Sequence, residues 1–209
     1  MNRNEQIELY EFNPLNGCAN FHALPEIELD AIREGRLEDA RAYWNNLLNY
    51  GDLSRYEFPI VFRQSKTFGS KIHEINPSDG VCYPIVSDRV ISILENNGIT
   101  GWKTYPIILY DKHGNRLDGY NGFYVDVMKG MGLDFEPPQD RCDKTTEDWK
   151  WIVTKRGWLD ITNWDGRDFT RAGWGIIVTE RVVKLFKKEK VTGIRFMKYS
   201  KKYDIICSK

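Results

Sequence analysis

Two stretches of this chain nearly repeat each other: IVSDRVISILENNGITGWKT, Ile85–Thr104, and IVTERVVKLFKKEKVTGIRF, Ile177–Phe196. The offset is a constant 92 residues, from Ser87 to Thr179 and again from Gly101 to Gly193. Ile-Val, Arg-Val and Thr-Gly recur identically, and most other changes stay within a class, such as Asp88 for Glu180 and Ile99 for Val191. In each copy an extended Ile-Val leads to an N-cap candidate, Ser87 or Asp88 in one and Thr179 in the other. An apolar helix face follows: Val90, Ile91, Ile93 and Leu94, then Val182, Val183, Leu185 and Phe186. A Thr-Gly turn then opens a strand. Asn97-Gly98 predicts a glycine stop for the first helix, and Glu189-Lys190 predicts a different ending for the second. Arg89 and Arg181 sit one turn inside the caps, where amphipathic patterning does not ask for arginine. Each is expected to pair with an acid or to cap a carbonyl. Arg89, Gly101, Arg181 and Gly193 are therefore the structural residues of the repeat.

The pattern predicts one α+β domain over residues 1–209. It would hold two related strand–helix–strand halves, about 57–135 and 149–207, around a mixed or antiparallel sheet. Outside the copies, strands are expected at Ile7–Phe12, Glu57–Phe62, Trp102–Tyr110, Phe123–Met128 and Tyr203–Ser208. A helix is expected at Leu37–Tyr50, stopped by Gly51.

Composition supports a packed core, with 41% apolar and 13% aromatic residues in 209. Formal charge is zero, which argues against a nucleic-acid partner. The charge is uneven: from Lys184 onward there are nine bases and two acids, leaving 21 bases and 28 acids before it. The basic tail reads as a solvated helix face on an acidic body. There is no apolar run of signal-peptide or membrane-span length, so a cytoplasmic protein with no membrane partner is expected. Cys18, Cys82, Cys142 and Cys207 lie far apart without a CxxC, so free thiols, no metal and no cofactor are expected. His22, His73 and His113 are isolated and read as surface or turn residues. No phosphate loop, nucleophile elbow or HExxH is present, so no catalytic residue is assigned and a non-enzyme is expected.

The best candidate for a partner-binding surface is GWLDITNWDGRDFTRAGW, Gly157–Trp174. It carries Trp158, Asp160, Trp164, Asp165, Arg167 and Asp168, residue types found at interface hot spots or suited to a basic partner. The competing readings are core tryptophans with turn-forming aspartates, or a carbohydrate-active or other hydrolytic site with paired carboxylates and stacking indoles.

The second copy also resembles a known family. RDFTRAGWGIIVTERVVKLFKKEKVTGIRFMKY, Arg167–Tyr199, is similar to the C-terminal signature of the double-CxxCG immunity proteins, a bacterial family that includes swarming-inhibition immunity proteins. The matching residues are Asp168, Phe169, Ile177, Val178, Thr179, Glu180, Arg181, Thr192, Gly193 and Phe196. FGSKIHEINPSDGVCYPIVSDRV resembles the family's earlier FG segment. GFYVDVM is similar to a strand of a broader immunity family of polymorphic toxin systems. The likeness spans roughly residues 68–199. Both CxxCG motifs are missing, and Cys18 and Cys142 stand singly near their expected places. The resemblance implies an immunity or antitoxin-like protein that occludes a cognate toxin, and it brings no catalytic residue with it.

Overall fold

The computed structural model describes residues 8–36, 57–78, 84–125, 133–134, 151–154, 157–160, 164–172 and 175–198. The fold is α+β. The helix expected at Leu37–Tyr50 and the strand at Tyr203–Ser208 lie outside the described residues.

Two four-stranded sheets carry the repeat segments. One contains β4 (Ile75–Asn76), β5 (Ile85–Ser87), β9 (Tyr120–Val125) and β6 (Trp102–Tyr105), in that order. The other contains β13 (Phe169–Ala172), β14 (Gly175–Thr179), β1 (Leu9–Pro14) and β15 (Ile194–Lys198). Every pairing in both is antiparallel. Helix α2 (Asp88–Asn96) follows β5, and the last helix, α3 (Glu180–Lys188), follows β14 at the same 92-residue offset.

Cross-strand registers agree as well. Val86 faces Asn121 and Trp102 faces Val125; at the matching places Val178 faces Tyr10 and Ile194 faces Pro14. β1 therefore holds in its sheet the place that β9 holds in the other. It arrives from the N-terminus, so a second half bounded at 149–207 leaves out the strand at its own centre. The helical copies carry the visible sequence likeness, whereas β1 and β9 share only strand patterning.

The first helix stops as expected at Gly98, and the second departs from expectation by stopping in the same way. α2 ends in a Schellman motif: Gly98 has φ +58°, its N–H donates to Glu95 O, and Ile99 N–H donates to Leu94 O. α3 ends the same way, with Lys190 N–H to Lys187 O and Val191 N–H to Phe186 O. Lys190 adopts φ +53° in the place of Gly98. The requirement to return the chain into β15 overrides the cost of a side chain in the left-handed region, which is on the order of 1 kcal/mol.

The expected strand Trp102–Tyr110 is two strands. Pro106, which has no N–H to give to a ladder, separates β6 from β7 (Ile107–Tyr110). β7 belongs to a further sheet, ordered β2 (Ala23–Pro25), β3 (Ile60–Gln64), β7, β8 (Arg116–Leu117), in which β3 and β7 are parallel. A short helix, α1 (Glu26–Arg33), follows β2 and is tied to β3 by Arg63 Nε–Glu26 Oε1 at 2.7 Å. A small sheet of β10 (Leu133–Asp134), β12 (Gly157–Asp160) and β11 (Trp151–Thr154) completes the described strands.

The main core lies between the two repeat sheets and under their helices. Phe12 is its hub. Its ring lies nearly parallel to Phe123, at 6.2 Å between centroids and 13°, and meets Phe169, Phe186 and Phe196 edge-on. Phe12 and Phe123 occupy matching positions of β1 and β9, so the two sheets touch through equivalent residues.

The Thr-Gly turns lock the sheets together. Gly101 (φ +88°) sits against the Phe169 carbonyl and Gly193 (φ +88°) against the Ile75 carbonyl, where a Cβ would overlap the oxygen in each case. Gly101→Ala and Gly193→Ala are each expected to lower unfolding free energy by more than about 2 kcal/mol, combining backbone strain with overlap. Gly166→Ala (φ +83°) meets open space and should lose only about 1 kcal/mol. Lys190→Gly should gain about 0.5–1 kcal/mol by removing the side chain from a left-handed residue. Urea midpoints at unchanged m-value would measure all four.

Candidate functional site

Three of the residues singled out from sequence, Gly101, Asp168 and Arg181, meet at one junction. Thr100 and Gly101, leaving α2, run alongside Asp168 and Phe169, the lead into β13. Phe169 N–H donates to Thr100 O at 2.9 Å. Asp168 is buried, and its carboxylate accepts from the Thr100 N–H at 3.2 Å, Thr100 Oγ1 at 3.4 Å, Thr179 Oγ1 at 2.8 Å and Arg181 Nη1 at 3.1 Å. Arg181 also donates to the carbonyls of Asn97 and Gly98, the C-terminal end of α2. Both roles considered for this arginine, acid pairing and carbonyl capping, are therefore filled. Thr179 caps α3 by position alone, because its hydroxyl is bonded to Asp168.

Arg89 fills the reciprocal place. It binds Glu74 and donates to the Glu189 carbonyl at the end of α3 at 2.7 Å. Glu74 Oε2 accepts from the Thr192 N–H at 2.8 Å, and Ile75 N–H donates to Thr192 O at 3.2 Å. Sequence reasoning did not single out Glu74 or Thr100, although the recurring Thr-Gly pair was a signal for Thr100; Thr192 was named only among the residues of the family resemblance.

Next to the Asp168 junction, residues 164–168 lie outside the strands among the described residues of the expected binding segment. The longer loop drawn over Gly157–Trp174 is corrected on both sides, because Gly157–Asp160 and Phe169–Ala172 are strands. Trp158 and Asp160 lie on β12, and their side chains, like Trp174, are outside the described residues. Trp164 is half-buried, and its indole N–H donates to Arg167 O at 3.2 Å. Asp165 turns back on Arg167: its carboxylate accepts the Arg167 backbone N–H at 3.1 Å and a forked guanidinium pair at 2.9 and 2.5 Å. Gly166 supplies the left-handed turn residue between them. The Arg167 side chain also runs beside Gly101, so the turn rests on the locked junction. A shallow cleft of about 430 Å³ opens here, between Thr100–Lys103 and Asp165–Arg167.

Asp168 is thus corrected from contact residue to structural anchor: four donors and burial leave it no free oxygen to offer a partner. Asp165 remains exposed. Its bonds to the Arg167 guanidinium hold its carboxyl below the ordinary aspartate range, the opposite of what a general acid needs. Of the histidines, His22 is buried and stacked on Phe68 at 3.6 Å, so it is not the surface residue expected from sequence. Among the described residues no three His, Cys, Asp or Glu side chains come together as a metal site, and Cys18 is exposed. No described helix is long and apolar enough to cross a membrane.

No protein-family model matches this chain, and no curated protein matches it.

Asp168→Ala should lower unfolding free energy by about 2–4 kcal/mol, since it strands buried donors and one arginine. Asp165→Ala, at an exposed pair, should change it by about 1 kcal/mol or less. Because the folded pKa of Asp165 is lowered, its contribution is full above the ordinary aspartate pKa. It is lost as pH falls through the folded value, below about pH 4. Denaturation curves between pH 2 and 6 should therefore show a shallower acid loss in Asp165→Asn than in the unaltered protein.

Proposed function

We propose that this protein is an immunity or antitoxin-like binder that occludes a cognate bacterial toxin stoichiometrically and without catalysis, in the cytoplasm of the cell that makes it. The observation that carries this reading is the Trp164–Arg167 turn. The Asp165 carboxylate and Arg167 guanidinium are joined to each other, the Trp164 indole donates to the Arg167 carbonyl, and the turn rests on the Asp168 junction. A surface fixed before encounter loses little conformational entropy on binding, and Trp and Arg are favoured anchor types.

The resemblance of Arg167–Tyr199 to immunity proteins supports the same reading, and the structure shows what its motif residues do. Asp168, Phe169, Thr179, Arg181, Thr192 and Gly193 hold two sheets together. They would serve as the frame on which a toxin-facing turn is carried. The acidic excess before Lys184 favours a basic partner and fast association. An interface on the order of 1,200–2,000 Å² in total would suffice.

The test is coexpression with the product of the neighbouring gene, which this reading expects to carry a toxin domain. A one-to-one complex on size exclusion and protection of growth are the expected results. Trp164→Ala and Asp165→Ala should each weaken the complex by about 1–3 kcal/mol while leaving the fold intact, read by calorimetry and circular dichroism. Absence of both complex and protection would overturn the reading. A complex indifferent to both substitutions would move the interface elsewhere on the protein.

A further inference from the structure

A second concavity, of about 850 Å³, lies away from the Trp164–Arg167 turn. It is formed by the β1–β2 connection, by Phe68 with His22, and by the outer face of β15. Its volume is in the range of small-molecule sites. Three features set it apart from an ordinary surface dent.

The first is Arg195. It projects from β15 into the cleft, opposite Asn13 in the strand register. Among the described residues it has no hydrogen bond or ion pair. Every other described arginine is held by a carboxylate, a carbonyl or another partner. An unneutralised guanidinium is unusual in a chain whose remaining described arginines are so consistently engaged.

The second is the lining. Among the described residues it holds no carboxylate, although the chain before Lys184 carries an excess of acids. The nearest acid along β1, Glu11, accepts from the Asn13 amide at 3.3 Å and is not part of the wall. Asn16 adds a second exposed amide on the rim with no partner among the described residues.

The third is rigidity. Asn20 at the back of the cleft is fixed at both ends of its amide, donating to Leu15 O at 3.2 Å and meeting His73 Nε2 at 3.1 Å. Phe68 forms one wall, stacked nearly parallel on the buried His22 ring, with 11° between the planes. The back is fixed, one wall is aromatic, and free donors stand at the mouth.

We propose that this cleft binds a small organic anion, its carboxylate or phosphate group held by the Arg195 guanidinium and the Asn16 amide and its body resting on Phe68. The site is independent of the proposed toxin-facing turn, and its occupancy does not require a protein partner.

The test is a titration of the full chain, followed by amide chemical shifts, with two probes at constant ionic strength: succinate for a carboxylate and glycerol 3-phosphate for a phosphate ester. Saturable shifts are expected at residues 13–20 and at Arg195, and the tighter probe identifies the anion class. Arg195→Gln should weaken that probe by about tenfold or more, the loss of one charge-assisted contact. Arg116→Gln, at an exposed ion pair outside the cleft lining, should leave it unchanged. The Arg195 side chain has no bond to lose among the described residues, so the variant should fold, and its spectrum checks this directly. Non-saturating shifts with both probes would overturn the proposal. So would saturation that survives Arg195→Gln.

Discussion

The structure depends on a reciprocal exchange between two turns. The chain leaving α2 at Thr100-Gly101 docks on the lead into β13, and the chain leaving α3 at Thr192-Gly193 docks on β4. Each docking uses a backbone bond from the receiving strand and a carboxylate one residue before it, Asp168 or Glu74. Each carboxylate also binds the arginine that caps the opposite helix. Glycine is needed at both turns because carbonyl oxygens occupy the Cβ position. Neither sheet can close its own helix end without the other, so the two should unfold together.

The two locks are not equally strong. Asp168 is buried and binds four donors, whereas Glu74 is partly solvated; the arginines that face them, Arg181 and Arg89, are both about half exposed. The difference therefore lies in the carboxylates: the hydrogen bonds of the more buried one are screened less by solvent. The Trp164–Arg167 turn stands directly on that stronger lock. A surface meant to be presented without reorganisation gains from such a support, since its rotamers are fixed before any partner arrives.

Much of the fold was legible because the repeat carries its own registration. The constant offset marked both helices, their starting positions and their Thr-Gly exits, and the α+β class followed. What escaped is instructive. Lys190 does not look like a helix stop, yet tertiary demand places it where Gly98 sits in the other copy. Pro106 splits an otherwise continuous apolar run because the two pieces belong to different sheets. Asp168 looked like surface chemistry, one of several acids in a Trp-rich segment that suited a basic partner. Its burial depends on Thr100, far away in sequence, and no local pattern reports that. Arg195 went unremarked within a basic tail, because an arginine without a partner is visible only once every other arginine's partner is known.

The place of β1 ties these observations into one constraint. Six residues near the N-terminus fill the centre of a sheet whose other strands all lie beyond residue 168, and Phe12 on that strand meets four aromatic rings of the core, Phe123, Phe169, Phe186 and Phe196. The second sheet cannot form as a local unit, because its middle strand is supplied from the far end of the chain. Such long-range pairing slows closure, since loop entropy must be lost before the ladder forms. Once formed, it leaves β15 paired on one side to β1 and bearing Arg195 on the cleft face, with Asn13 of β1 directly opposite. The strand that completes the core is thus also the strand that builds one wall of the anion cleft. A substitution in β1 that loosens Phe12 would be felt at Arg195 through the same five paired residues.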